Sequence, residues 1–318
     1  MDIVGLGTVA MDVILNVDVL PAKDGFAVIK RRSYAPGGSG TNAIVQAARL
    51  GASCAFVAQV GDDHLGDEIV QSLESEGVST AGMLRMRGGI SLHTMVFVAA
   101  DGDKFIMLDM GDAFLAMPAD AADANLIGSA TVFYTDLLPG AAAVASLKAA
   151  KAAGATTVFN MQVGLAQMIG FGVSEATIVE ALQYVDVFAP CREAFSALAG
   201  TQDAAAGAAK LADTVPGLLL LTQGQDGSVA FERAAMVARA PAFEVEAVDT
   251  TGAGDAYIGA FMVARFLKRS SVAEAMRYAS ACAALTCSGL GARSSPSAAA
   301  AEAFLAARGP APMGEGVR

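Results

Sequence analysis

The chain has 318 residues, 54% of them hydrophobic and 17% charged, with 32 acidic against 21 basic side chains for a net charge of -11. That length and apolar content suffice for one sizeable folded body with a large core. The acidic balance excludes a chain built to grip nucleic acid or an anionic membrane, because phosphate-rich partners are held by basic surfaces.

In chain order, residues 3–9 form an apolar run expected as a first strand. Gly5-Leu6-Gly7-Thr8-Val9-Ala10 formally fits a dinucleotide-binding turn. It lies inside the apolar run instead of after it, and Pro21, Asp24 and Gly25 break the chain where a crossover helix should follow, so a nicotinamide enzyme is set aside. Residues 12–34 are expected as strands joined by a loop at 21–25. A helix is expected over 41–50 and a strand over 55–60, and residues 93–109 form a hairpin about Asp101-Gly102-Asp103. Further strands are expected at 131–134, 156–160, 185–189, 218–222 and 228–231, with helices at 141–153, 173–184 and 256–268. Short β-type runs alternating with helices predict an α/β fold, a mostly parallel sheet covered on both faces. Cys54, Cys191, Cys282 and Cys287 show no Cys-x-x-Cys pairing and are expected as reduced thiols. An acidic start and no apolar run approaching about 18 residues give the cytoplasm as the expected location.

The most informative stretch is Asp249-Thr250-Thr251-Gly252-Ala253-Gly254-Asp255, which runs into the expected helix. Glycines let the backbone approach a ligand, and the first amides of a helix point outward at the positive end of its dipole. Such a turn holds phosphate, or the charge that develops as phosphate is transferred. A carboxylate at its edge repels phosphate unless its task is to take a proton from an attacking hydroxyl, which casts Asp255 as a base. Alone, the same residues also fit a tight turn with a helix-starting Asp.

A second motif, Gly37-Gly38-Ser39-Gly40-Thr41-Asn42-Ala43, leads into the helix ending near Leu50-Gly51. With both motifs in this order the chain resembles the ribokinase-like (PfkB) family of carbohydrate and nucleoside kinases, from Asp12 to Gly291-Ala292-Arg293-Ser294-Ser295. The resemblance implies a three-layer sandwich with a small β lid, a single kinase domain over 1–310 with lid segments near 12–35 and 93–109, a tail at 311–318, and a homodimer formed through the lid. It implies sugar contacts at Asp12, Gly37, Gly38 and Asn42. Asp136 corresponds either to an acidic substrate residue of some members or to a turn entering a helix. Thr222, Gly224 and Gly227 resemble the segment that approaches ATP, although a hairpin turn reads the same way. Asp249, Thr251, Gly291 and Ser295 match a potassium site of oxygen donors.

The chain departs from the family in two places. Ser39 stands where ribokinases carry lysine, which weakens the case for ribose. The usual magnesium-organising Asn-x-x-Glu reads Cys191-Arg192-Glu193-Ala194, leaving Glu193 or Asp186 as substitutes. Magnesium is still expected, since ATP brings it. The implied reaction is direct transfer from ATP to a primary hydroxyl of a sugar or sugar acid, with Asp255 as base and the 252–254 amides holding developing charge. A nucleoside acceptor, or a sensor without catalysis, are the alternatives. Lys30, Arg31 and Arg32 reach either an acidic sugar or solvent, and His93 and Met95 line either the sugar pocket or the lid interior.

Overall fold

The computed structural model describes residues 1–101 and 103–309; the expected tail at 311–318 and Gly102 of the expected hairpin turn lie outside the described residues. Among the described residues thirteen strands form two sheets. They are β1 (Ile3–Leu6), β2 (Ala10–Val17), β3 (Ile29–Gly37), β4 (Cys54–Gly61), β5 (Ser79–Met86), β6 (His93–Val98), β7 (Lys104–Asp109), β8 (Val132–Thr135), β9 (Thr156–Met161), β10 (Val187–Pro190), β11 (Leu218–Thr222), β12 (Ser228–Glu232) and β13 (Ala235–Ala240).

The large sheet has nine strands in the order β13-β12-β11-β10-β9-β8-β1-β4-β5. From β5 to β11 all neighbours are parallel, and β12 and β13 close one edge as an antiparallel meander. Strands buried on both faces read as continuous apolar runs, and Cys54–Gly61 is buried at every position. The first strand proves shorter than expected: it ends at Leu6, and Ala10 starts a strand of the other sheet. No helix follows Gly5-Leu6-Gly7, which removes the dinucleotide geometry.

The small sheet, a β lid, has the order β3-β2-β6-β7, with β2 and β6 parallel and the outer pairs antiparallel. Asp12 sits within lid strand β2, which begins two residues earlier than the expected lid segment. Facing positions of a ladder share a face, so Asp12, Ala35 and Thr94 line up on one side of the lid.

Chain order reverses between β1 and β8, the place where open α/β sheets bind ligands beyond the carboxyl ends of their strands. The Ser39–Arg49 and Ala253–Met262 helices pack closely there: a Cβ on Gly259 would lie 2.3 Å from the Ala43 carbonyl oxygen. The second helix was expected to run evenly through 268. It is instead α-helical to Met262 and continues over Val263–Leu267 with wider turns, Lys268 N–H bonding Val263 O at 2.9 Å. No helix among the described residues is long and apolar enough to cross a membrane, and all four cysteines are free.

Candidate active site

Gly252 holds φ +79° at the head of the Ala253–Met262 helix, and a Cβ there would lie 2.3 Å from the Ala292 carbonyl oxygen. Only glycine fits both demands. Helical geometry starts at Ala253, so Ala253 and Gly254 belong to the first turn and not to a preceding loop. No side chain caps this helix start; the Ala253 N–H meets the Thr250 carbonyl oxygen at 3.3 Å, and the Gly254 and Asp255 amides that follow have no partner within the helix.

Asp255 is buried in that first turn. Asn42 Nδ2 donates to its Oδ2 at 2.9 Å and Gln162 Nε2 to its Oδ1 at 2.8 Å. Asn42 thus does not serve as a helix cap: it lies inside the Ser39–Arg49 helix and spends its side chain on a partner 213 residues away. Burial pushes the Asp255 carboxyl up to about 7; hydrogen bonds from Asn42 and Ser39 and the charge of Arg293 oppose the rise, while Asp136 adds to it. A carboxylate with its affinity for protons raised toward neutrality is suited to accept one from a hydroxyl.

Asp136 follows β8 and is 2% exposed, with Thr8 N–H donating to Oδ2 at 2.8 Å and Leu138 N–H to Oδ1 at 3.2 Å. Burial raises its pKa to about 6 against those bonds. Those bonds make it a turn residue, the second of the readings left open for it, and its charge also acts on Asp255. Asp12 accepts from Thr94 Oγ1, and a Cβ on Gly37 would lie 3.1 Å from its Oδ2, so Asp12, Gly37 and Thr94 are neighbours. Gly38, at φ +91°, joins β3 to the helix carrying Asn42 and rests against the Thr8 carbonyl.

Thr222, Gly224 and Gly227 lie at the carboxyl end of β11 in a tight connection to β12. It is a hairpin turn, and β12 beyond it is tied to the helix of Asp255 by Tyr257 OH, which donates to Ser228 Oγ at 2.8 Å. Arg192 pins the turn by donating to Gln223 O at 2.6 Å.

Of the four expected cation ligands, the structure gathers three. Asp249 Oδ1 accepts from Thr251 Oγ1 at 2.7 Å, and Asp249 Oδ2 accepts from Gly291 N–H at 3.0 Å. The Thr251 hydroxyl first, then the Thr251 and Gly291 N–H groups, hold the Asp249 carboxyl below its ordinary range, with Lys104 of β7 contributing charge. Ser295 stands apart: its carbonyl and hydroxyl accept from Arg49 Nη1 at 2.7 and 3.2 Å. Oxygens already facing a guanidinium are poor partners for a second cation, so Ser295 leaves the set.

Glu193 stands beside the loop after β9, its Oε1 2.3 Å from where a Gly164 Cβ would be, two residues beyond Gln162. Asp186 is excluded as a substitute for magnesium, because it lies at the amino end of β10, opposite the carboxyl ends of the strands, and accepts from Thr157 N–H and Lys151 Nζ. Among the described residues no three His, Cys, Asp or Glu cluster as a metal cage. Donors this sparse fit an ion that arrives on the nucleotide. Lys30 pairs with exposed Asp18 and Arg31 with Asn16, as lid-surface groups. Gln162, Arg293 and Thr94 were missed as individual site residues; Arg293 stands inside the Gly291–Ser295 turn, but nothing in that pattern names its partner, and Gln162 and Thr94 sit in no motif.

A model of the pfkB family of carbohydrate kinases matches residues 1–299. An ATP-dependent ribose-1-phosphate kinase of Halopiger xanaduensis is 32% identical over 307 residues, covering 96% of this chain and 98% of that protein. Fructokinase-1 of Zea mays is 29% identical over 287 residues, covering 85% and 88%. Arabidopsis thaliana ribokinase complexed with ribose and ATP superposes with a TM-score of 0.82 at 24% identity, covering 95% and 98%. A putative ribokinase II from E. coli in complex with ATP and magnesium gives 0.81 at 20%, again covering 95% and 98%. The fold and its switch-point cleft are those of a sugar kinase. The chain belongs to the pfkB family and is an ATP-dependent carbohydrate kinase.

Proposed function

We propose that the chain transfers the γ-phosphoryl group of ATP directly to a primary hydroxyl of a sugar or sugar phosphate, with Asp255 as the base. The observation that carries this is the buried Asp255 carboxyl, pushed to about 7 and held by Asn42 and Gln162 at the head of an uncapped helix. Asp255 Oδ accepts the proton as the acceptor oxygen attacks phosphorus in line, and the 252–254 amides take up the charge on the transferred oxygens. Asp12, Gly37, Gly38 and Asn42 orient the acceptor, and the charge of Asp136 raises the affinity of the base for a proton. The Thr222–Gly227 turn takes the nucleotide. Magnesium arriving with ATP would neutralise phosphate charge, and Glu193, beside the loop after β9, would take up its water shell. A potassium ion beside the anion turn is supported by Asp249, Thr251 and Gly291.

The large body and the lid act as a single kinase unit in the cytoplasm, a setting that fits four unpaired thiols. Edge strand β7 exposes Phe105, Ile106, Met107 and Leu108. An apolar free edge of this kind invites a second copy, and we infer a homodimer through the lid. The relative from Halopiger places ribose 1-phosphate first among acceptors to try, with fructose, ribose, sugar acids and nucleosides beside it. ADP release over that panel, with potassium or sodium, is the test. Acceptor-dependent turnover is expected; a thermal shift with a sugar but no ADP from any acceptor would establish a sensor instead.

A further inference from the structure

Asp255 is held by two amides, and they differ in freedom. An Asn or Gln amide has a donor end and an acceptor end and can turn over, whereas arginine has only donors. Gln162 meets Asp255 through Nε2, and its Oε1 lies beside Gly254, 3.8 Å from where a Cβ would be. Asn42 is constrained from behind: Arg293 Nε donates to Asn42 Oδ1 at 3.2 Å. The same guanidinium donates to Thr41 Oγ1 at 3.1 Å and to Ser72 Oγ at 3.2 Å, which fixes its plane.

We propose that Arg293 is a positioning residue for phosphoryl transfer: by occupying the oxygen of the Asn42 amide it forces the amide N–H toward Asp255. The inference rests on the kinase function proposed above. A locked N–H favours a carboxylate oxygen, which accepts. A free amide serves either form, because once turned its oxygen accepts from a protonated carboxyl equally well. Arg293 therefore biases the base toward the state that removes protons, through Asn42 and through its own charge.

The surrounding charges agree with this assignment. Asp136 and burial raise the affinity of Asp255 for a proton, and Asn42, Ser39 and Arg293 lower it. Around Arg293 stand Glu76, Arg49, Asp12 and Asp255; burial pulls the guanidinium down to about 10, so it stays charged near neutrality. Buried Tyr134, beside both aspartates, is raised well above the phenol range and stays neutral.

The test is Arg293→Gln with Arg293→Lys as the second variant, each read in two ways. Carbonyl-13C aspartate NMR, assigned with Asp255→Asn, gives the Asp255 titration midpoint, and ADP release gives turnover against pH. Arg293→Gln is expected to raise the midpoint by about one unit or more. Its turnover should fall about tenfold near pH 6 and little near pH 9, because one unit is a tenfold change in the ionised fraction. Arg293→Lys, which keeps charge without the fork, should fall between, and Asn42→Ala combined with Arg293→Gln should shift the midpoint by less than the two singles summed. An unmoved midpoint in either folded variant, or a rate loss equal at every pH, overturns the proposal. If wild type releases no ADP with any acceptor, the kinase function fails, while the midpoint still decides what Arg293 does to Asp255.

Discussion

Replacing Asp255 by Asn exchanges a buried carboxyl for a neutral group of the same size. Burial holds the native carboxyl at about 7, against about 3.9 in an unfolded chain. A carboxyl raised in this way supports the fold fully below its unfolded pKa, and that support drains away as the pH climbs through the folded value. A gap of about three units corresponds to about 4 kcal/mol, so near pH 8 the ionised side chain burdens the fold by that order. The substituted amide fits the two donors: its oxygen takes the Asn42 hydrogen, and Gln162 turns to present Oε1 to the new NH2 group. Asp255→Asn is therefore expected to exceed wild type in stability by a few kcal/mol near pH 8, a lead that shrinks as the pH falls toward about 4. Turnover should drop by about 10²- to 10⁴-fold, the usual worth of a positioned base. Urea unfolding across the pH series and ADP release read both quantities. A variant whose stability tracks wild type at every pH refutes the buried-charge account, and near-normal turnover removes Asp255 from the chemistry.

Gly259→Ala places a methyl group 2.3 Å from the Ala43 carbonyl oxygen, and the forced separation of the two helices should cost about 1–3 kcal/mol in urea unfolding; unchanged stability would mean the helices are not in contact. Asp12→Ala removes the acceptor-side carboxylate that Thr94 orients, so KM for the sugar should rise about tenfold or more while KM for ATP stays level, and equal changes in both would move Asp12 out of the sugar site. Ile106→Asp, on the half-exposed edge strand β7, is expected to turn a dimer into monomers by light scattering without altering the melting temperature of the body; a persisting dimer places the interface elsewhere.

The legible parts of the chain were those whose chemistry is local. Asp249 to Asp255 and Gly37 to Asn42 announce themselves because glycine spacing, helix onset and carboxylate lie within a few residues of one another. Strand β5 was overlooked because Ser79–Met86 is a half-exposed edge strand with mixed polarity, and β13 because Ala235–Ala240 is half alanine, a helix former, and shows no alternating pattern. Gln162 and Arg293 were invisible for a different reason. Each acquires its role from parallel register and helix packing that bring it to a partner far along the chain, and neither sits in a pattern that betrays this. Ser295 shows the reverse error: its place in a motif suggested a cation ligand, but Arg49, from another helix, had already claimed its oxygens.

The lid is rooted through a narrow neck. Strand β2 leaves the body at Thr8–Ala10, and β3 returns at Gly38, whose backbone presses on those same residues: a Cβ there would sit 2.7 Å from Thr8 O and 2.8 Å from Ala10 N. Four residues after that junction comes Asn42, already touching the base. The neck thus joins the root of the lid to the helix whose Asn42 amide holds Asp255, with no intervening element between the plate and that contact.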